Sequence, residues 1–129
     1  MMFAPLPQET ESVATQVMGA AIAVHRQLGP GFLEKIYAEA LCLELDAKRI
    51  PFERERPVSV RYRGVAIPGQ RIDLIVDTRV IVELKAVARI DLVHESKVVS
   101  YLRTTNLRLG LLLNFNCRTM REGIKRIIL

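Results

Sequence analysis

The chain has no tryptophan and only three tyrosines and four phenylalanines in 129 residues. A nucleic-acid surface built mainly from base-stacking aromatic platforms is therefore not expected. Cysteine is as scarce. Cys42 and Cys117 form neither a disulfide framework nor a metal-ligand spacing. Cys42 falls in a helical stretch and Cys117 in a loop, and both read as reduced thiols of a cytoplasmic protein. No apolar run reaches the roughly 18 residues a membrane span needs. The opening Met1-Met2-Phe3-Ala4-Pro5-Leu6-Pro7 lacks the basic n-region and long apolar core of a signal peptide. Repeats, low-complexity tracts and obvious linkers are missing as well.

Half of the residues are hydrophobic and 26% are charged, which argues against disorder. The length fits one domain with a real core. The net charge of +5 fits a polyanionic partner such as nucleic acid. Many small basic proteins bind nothing acidic, so net charge alone does not identify a partner.

Residues 1–9 read as a flexible leader and 10–129 as a single domain. Thr10 can cap a first helix to about Leu28, with Val13, Val17, Ala20, Val24 and Leu28 on one stripe. Gly29-Pro30-Gly31 stops it. A second helix is expected from about Phe32 to Lys48, burying Leu33, Ile36, Tyr37, Ala40, Leu41 and Leu45. After Pro51 the period becomes alternating. Phe52 to Arg56 reads as an edge strand, and Val58, Val60 and Tyr62 form the inner side of a half-buried one. Gly64 and Pro68-Gly69 lead to a strand over Gln70–Val76, and Asp77-Thr78-Arg79 connects it to Val80–Ala86. Asp91 can cap a helix to about Thr105. Leu107 to Phe115 is nearly continuous apolar sequence, expected as a central strand covered on both faces. A last strand covers Ile124–Leu129. The order is ααββββαββ, a mixed α/β (α+β) sheet flanked by helices.

Within the two most strand-like stretches, Arg71-Ile72-Asp73-Leu74-Ile75-Val76 and Val80-Ile81-Val82-Glu83-Leu84-Lys85, sit charges that are costly to bury unless paired or bound to a metal. With a three-residue loop over Asp77–Arg79, Asp73 faces Glu83 across the hairpin. Like charges in that position destabilise a sheet, and a divalent cation between them reverses the sign. Oxygen-only ligands favour Mg²⁺ or Mn²⁺. A two-residue loop would shift the register and put Asp73 on the other face. Lys85 shares a side with Glu83 and could hold a phosphate oxygen or the attacking water. The plainer alternative is a structural ion pair of Asp73 with Lys85 or Arg71.

Glu34 falls on the face of the second helix that carries Tyr37, Ala38, Leu41 and Leu45. It is either a third acid for the metal site or an N-terminal residue serving the helix dipole. His94, Lys97 and Tyr101 lie at i, i+3 and i+7 and could form a polar strip facing the site. The alternatives are a solvated Lys97 and a Tyr101 that is half core. Lys97, Tyr101, His94 and Arg71 are the candidates for positioning substrate. Arg61, Arg63, Arg103 and Arg108 are reasonable phosphate contacts, although a charge run is usually a wet face. The role of His25, late in the first helix, is open.

Together these residues resemble the PD-(D/E)XK nuclease superfamily, and in particular its small GxxExxY branch, PDDEXK_3. Gly31-Phe32-Leu33-Glu34-Lys35-Ile36-Tyr37 fits the name motif in full. Arg71-Ile72-Asp73-Leu74, Val82-Glu83-Leu84-Lys85-Ala86, Leu112-Leu113-Asn114-Phe115 and Gly123-Ile124-Lys125-Arg126 are similar as well, and the likeness covers about residues 10 to 129. The resemblance implies a restriction-endonuclease-like core in αβββαβ order. It implies that Asp73 and Glu83 ligate Mg²⁺ or Mn²⁺, with the Leu84 carbonyl and Glu34 as further ligands. Lys85 would orient water or stabilise the phosphorane-like transition state. One position departs: where related branches carry Gln-xxx-Tyr, this chain has Lys97-Val98-Val99-Ser100-Tyr101.

The expected activity is metal-dependent hydrolysis of phosphodiester bonds, with Glu34, Asp73, Glu83 and Lys85 as catalytic residues. DNA stands ahead of RNA as the partner, and a homodimer is a candidate assembly. The rival reading is a catalytically weak or inactive nucleic-acid-binding or adaptor module with the same fold, and a third is a structural subunit of a larger complex.

Overall fold

An apolar strand with no polar side must be covered on both faces, and Leu109–Asn114 (β4) is buried at every position. The computed structural model describes residues 4–129. Its other strands are β1 (Phe52–Tyr62), β2 (Val65–Val76), β3 (Val80–Lys85) and β5 (Ile124–Ile128). They form one five-stranded mixed sheet of order β1-β2-β3-β4-β5. Only β3 and β4 run parallel, and the helix α3 (Leu92–Thr105) connects them. Helices α1 (Gln8–Leu28) and α2 (Glu34–Ala47) precede the sheet.

The sheet separates two apolar clusters. Val13, Val17, Val24, Tyr37, Leu41 and Leu45 of α1 and α2 pack on Val80, Val82, Leu84, Leu111 and Leu113. On the other face, Val98, Tyr101 and Leu102 of α3 pack on Ile72, Ile75, Ile81 and Leu112. Gly110 lets α3 sit close: a Cβ there would stand 2.5 Å from Val98 Cγ1.

The mixed sheet-and-helix class holds, and several expected boundaries move. The helix α1 begins at Gln8 behind Pro7, and Thr10 is a buried residue of its first turn rather than its cap. Arg108, expected as a phosphate contact, instead donates to the carbonyls of Ala4 and Pro5 at 2.9 and 3.1 Å. Leu6 packs on the core, so residues 4–9 are held down. Met1–Phe3, the rest of the expected leader, lie outside the described residues. The helix α2 starts at Glu34, not Phe32. Its buried stripe is Tyr37, Leu41 and Leu45, four apart, which leaves Leu33 ahead of the first turn and Ile36 on the flank; both are exposed.

The two short strands expected at 52–56 and 58–62 are one, so the order is ααβββαββ. Pro57 does not interrupt β1 because β1 is an edge strand. In β2, Pro68 and Gly69 sit opposite Ser59 alone, in a bulge between the pairs Val58↔Gln70 and Val60↔Ile67. The hairpin closes through Arg63 and Gly64, both at positive φ (51° and 79°), as a type I′ turn requires. Beyond the bulge the two strands project as a ribbon. Val60 and Tyr62, expected half-buried, are exposed there, as are Val65 and Ile67.

Gly110→Ala must push Val98, whose β-branched side chain has little freedom to yield. The substitution is expected to cost about 1–3 kcal/mol, read as a lower midpoint in chemical denaturation with an unchanged slope.

Candidate active site

The connection between β2 and β3 has three residues, and it sets the register of the acids. Asp77 and Thr78 take positive φ (51° and 55°) without a glycine. The Asp77 N–H donates to the Pro51 carbonyl at 2.8 Å and the Arg79 N–H to the Val76 carbonyl at 3.0 Å. Val76, Ile75 and Leu74 then pair with Val80, Ile81 and Val82. Asp73 and Glu83 come next, and there the ladder ends. The Leu84 N–H donates to Asp73 Oδ2 at 2.9 Å rather than to a backbone carbonyl.

An irregularity on β2 accompanies this parting. Strict alternation would put Ile72 and Leu74 on one face, yet Ile72 packs under α3 and Leu74 under α1 and α2. The face changes at Asp73, opposite Glu55 of β1, which has φ 49°. Asp73 consequently lines a cleft of about 320 Å³ on the α2 side, with Glu34, Leu84, Arg54 and Glu55. Glu83 turns towards α3. The two carboxylates thus lean to different sides of the sheet at the seam where the ladder ends, not side by side on one face as expected, and they still act on each other through their charges.

Glu83 is 1% exposed. Its Oε2 accepts from Lys97 Nζ at 3.1 Å and lies 3.6 Å from Lys85 Nζ, while its buried Oε1 has no partner. Burial, and then the charge of Asp73, raise its pKa against the pull of Lys97 and Lys85. For Lys97, burial works towards a lower pKa, but the hydrogen bond and charge of Glu83 outweigh it and the net shift is upward. Tyr101 is buried and donates to the Arg71 carbonyl at 2.8 Å, which fixes β2 two residues before Asp73. Its ring lies 5.9 Å from Lys97 Nζ.

Other candidates fall elsewhere. Glu34 is exposed at the start of α2, at the edge of the cleft rather than on the helix's buried stripe. Loss of hydration raises its pKa, Lys85 opposes that, and Asp73 adds to it. His94 does not face the site: its Nδ1 accepts the Asp91 N–H at 3.0 Å and completes the cap of α3. The Arg71 side chain is exposed and lies 3.8 Å from Glu55. The plainer alternative, an ion pair of Asp73 with Lys85 or Arg71, is not formed among the described residues: Lys85 faces Glu83 and Arg71 faces Glu55.

Sequence reasoning passed over two supports. Asn114, buried beside Lys85 in the ladder, accepts the Val87 N–H at 3.0 Å and donates to the Val87 carbonyl at 2.9 Å. That holds the chain leaving Lys85. An amide closing an apolar run was the available signal, since a buried one must find partners. Tyr37 donates to the Gly29 carbonyl at 2.5 Å, accepts the Phe32 N–H at 3.1 Å and stacks on Phe115 at 4.6 Å, fixing the loop that delivers Glu34. The open question of His25 also closes: it is buried, and its Nε2 lies 2.8 Å from the Cys117 carbonyl, tying α1 to the segment after β4. Both cysteines are free thiols.

Among the described residues, no group of three or more His, Cys, Asp or Glu side chains is gathered to hold a metal ion. The seam nevertheless suits a hard divalent ion. It offers two carboxylates, one with an unpartnered buried oxygen. The backbone carbonyl of Leu84, whose N–H Asp73 accepts, is a further oxygen in the same segment. All these donors are oxygen.

The model of the PDDEXK_3 family, described as PD-(D/E)XK nuclease superfamily, matches residues 11–127. No curated protein and no solved structure matches the chain.

An acid with a raised pKa binds its proton more tightly in the folded than in the unfolded state. Its ionisation therefore costs stability as pH rises through those two values. Glu83 faces Asp73, Lys97 and Lys85, and Glu83→Gln removes that cost while keeping the shape. In metal-free buffer at neutral pH the variant is expected to melt at a higher temperature than the wild type. The gain should vanish below the ordinary glutamate range; a lower Tm at neutral pH would contradict this account of the site.

Proposed function

The chain belongs to the PDDEXK_3 family of the PD-(D/E)XK nuclease superfamily, and we propose that it is a divalent-metal-dependent nuclease acting at Asp73, Glu83 and Lys85. The observation that carries this reading is the unpartnered Oε1 of Glu83, buried next to a second carboxylate and two ammonium groups. A structural ion pair has no use for an empty acceptor in the protein interior. A site waiting for a cation does.

Asp73, Glu83 and the Leu84 carbonyl would hold Mg²⁺ or Mn²⁺. Such an ion supplies charge neutralisation at a phosphate and a bound water of lowered pKa. Lys85, half-buried beside Glu83, donates to a phosphate oxygen or holds the attacking water, where its charge is worth most as negative charge develops. Lys97 and Tyr101 position the substrate side of the seam, and Glu34 adds a carboxylate at the mouth of the cleft. The reading favours DNA over RNA as substrate. It includes a cytoplasmic location, with two free thiols in support. It also includes a homodimer, for which the exposed Val60, Tyr62, Val65 and Ile67 offer a surface.

One observation favours the rival, a nucleic-acid-binding or adaptor module of the same family. Lys97 Nζ sits 3.1 Å from Glu83 Oε2 and partly satisfies the charge a metal would answer. Calorimetry separates the two readings. Metal binding that disappears in Asp73→Asn supports the enzyme; salt-sensitive nucleic-acid binding indifferent to metal supports the module. If Lys97 competes with the ion, Lys97→Gln should bind Mn²⁺ more tightly.

For the enzyme, Asp73→Ala, Glu83→Ala and Lys85→Ala are each expected to reduce cleavage by on the order of 10²-fold or more with the fold retained, and chelation should abolish it. The assay is a screen of single- and double-stranded DNA and RNA with Mg²⁺ and Mn²⁺; wild-type protein that cuts none of them refutes the proposal.

A further inference from the structure

A second concave surface is lined by guanidinium groups. Arg26 from the last turn of α1, with Arg118 and Arg121 from the segment between β4 and β5, borders a cavity of about 480 Å³ that also touches His25, Gly29 and Pro30. All three arginines are exposed. Among the described residues, none of them makes an ion pair. Arg54, Arg56, Arg71, Arg79 and Arg126, by contrast, each face a carboxylate. Three cations around one hollow repel each other until an anion enters.

The walls of this hollow are positioned. His25 bonds the Cys117 carbonyl from the α1 side, and the Cys117 thiol donates to the Asn114 carbonyl at 3.2 Å. Met120, between Arg118 and Arg121 in sequence, is buried in the core. Gly123 lies so close to the Asn114 carbonyl that a Cβ would overlap it. The segment carrying Arg118 and Arg121 is thus pressed onto the end of β4.

That end of β4 is also the end of β3 where the acids sit. Asn114 is the ladder partner of Lys85, and the Phe115 N–H donates to the Lys85 carbonyl at 2.9 Å. Gly29, on the wall of the arginine hollow, lies five residues before Glu34 in sequence. Five residues span at most ~18 Å, or about five base steps at ~3.4 Å of rise per nucleotide.

We propose that Arg26, Arg118 and Arg121 form a binding site for a backbone phosphate of the nucleic-acid strand, a few nucleotides from the phosphate addressed at Asp73, Glu83 and Lys85. The identity of the polymer rests on the nuclease reading; recognition of a phosphate there does not. Guanidinium forks match phosphate oxygens in pairs. The site fixes the strand's register without reading its bases.

The test compares two double variants in an Asp73→Asn background, which prevents cleavage during binding. Arg118→Ala/Arg121→Ala alters the hollow. Lys48→Ala/Arg49→Ala removes the same charge from exposed positions elsewhere. The probes are a fluorescein-labelled DNA duplex and the RNA strand of matching sequence, read by anisotropy across a salt titration, with melting curves to check folding. The hollow variant should weaken low-salt binding on the order of tenfold and reduce the slope of log K against log salt by about 1, while the control keeps the slope. Equal effects in both variants, no effect in either, or no binding of either probe by the background protein overturns the site. If the expected pattern appears but wild-type protein with Mg²⁺ or Mn²⁺ cuts nothing, the nuclease reading fails and the phosphate site stands.

Discussion

A carboxylate buried to 1% exposure with one oxygen unanswered is an expensive object, and the site is organised around the one on Glu83. Its charge is tolerated because Lys97 and Lys85 approach from α3 and from two residues along β3. It is strained because Asp73 approaches from the neighbouring strand. Replacing the whole group by apolar residues would make a calmer core. Keeping two acids and two bases in one seam is the sort of local expense that proteins concentrate at functional sites.

The rest of the frame keeps that seam open without letting it drift. Antiparallel pairing stops at Leu74 and Val82, and Asp73 takes over the Leu84 N–H that the ladder abandons. Tyr101 grips the backbone just before Asp73, and Asn114 grips the backbone just after Lys85. Tyr37 holds the loop that delivers Glu34 and stacks on the aromatic ring that follows β4. The ties from Tyr101, Asn114 and Tyr37 are each made by a polar atom on an otherwise buried side chain. Such bonds cost little when satisfied and a good deal when broken, so they fix position better than apolar packing does.

Much of this was legible in the order of residues. The apolar run before Asn114, the stop at Gly29-Pro30-Gly31 and the Asp91 cap identified their elements within a residue or two. The charges at Asp73, Glu83 and Lys85 stood out because strands rarely carry charge inward. Pro57 and Pro68-Gly69 mislead, since in sequence a proline resembles the end of a strand. In an edge strand and in a bulge its missing N–H removes no ladder bond. Leu33 and Ile36 misled because apolar type does not say which side of a helix turns inward. His94 looked like chemistry and proved to be a cap, for imidazole nitrogens serve a backbone N–H as readily as a ligand. The change of face at Asp73, across from the positive φ of Glu55, has no signature in the pattern of residue types.

Pro57 has one more effect, on how these molecules behave towards each other. An outermost strand presents a row of free amide groups that can recruit strands from other molecules, the first step towards fibrils. Pro57 has no N–H to offer, and proline on an edge strand makes that strand a poorer template for an incoming one. Arg54, Glu55 and Arg56 immediately before it line the same margin with charges that an apolar strand would have to desolvate. The residue that hid the length of β1 from sequence reasoning thus also guards the sheet's margin against self-association into aggregates.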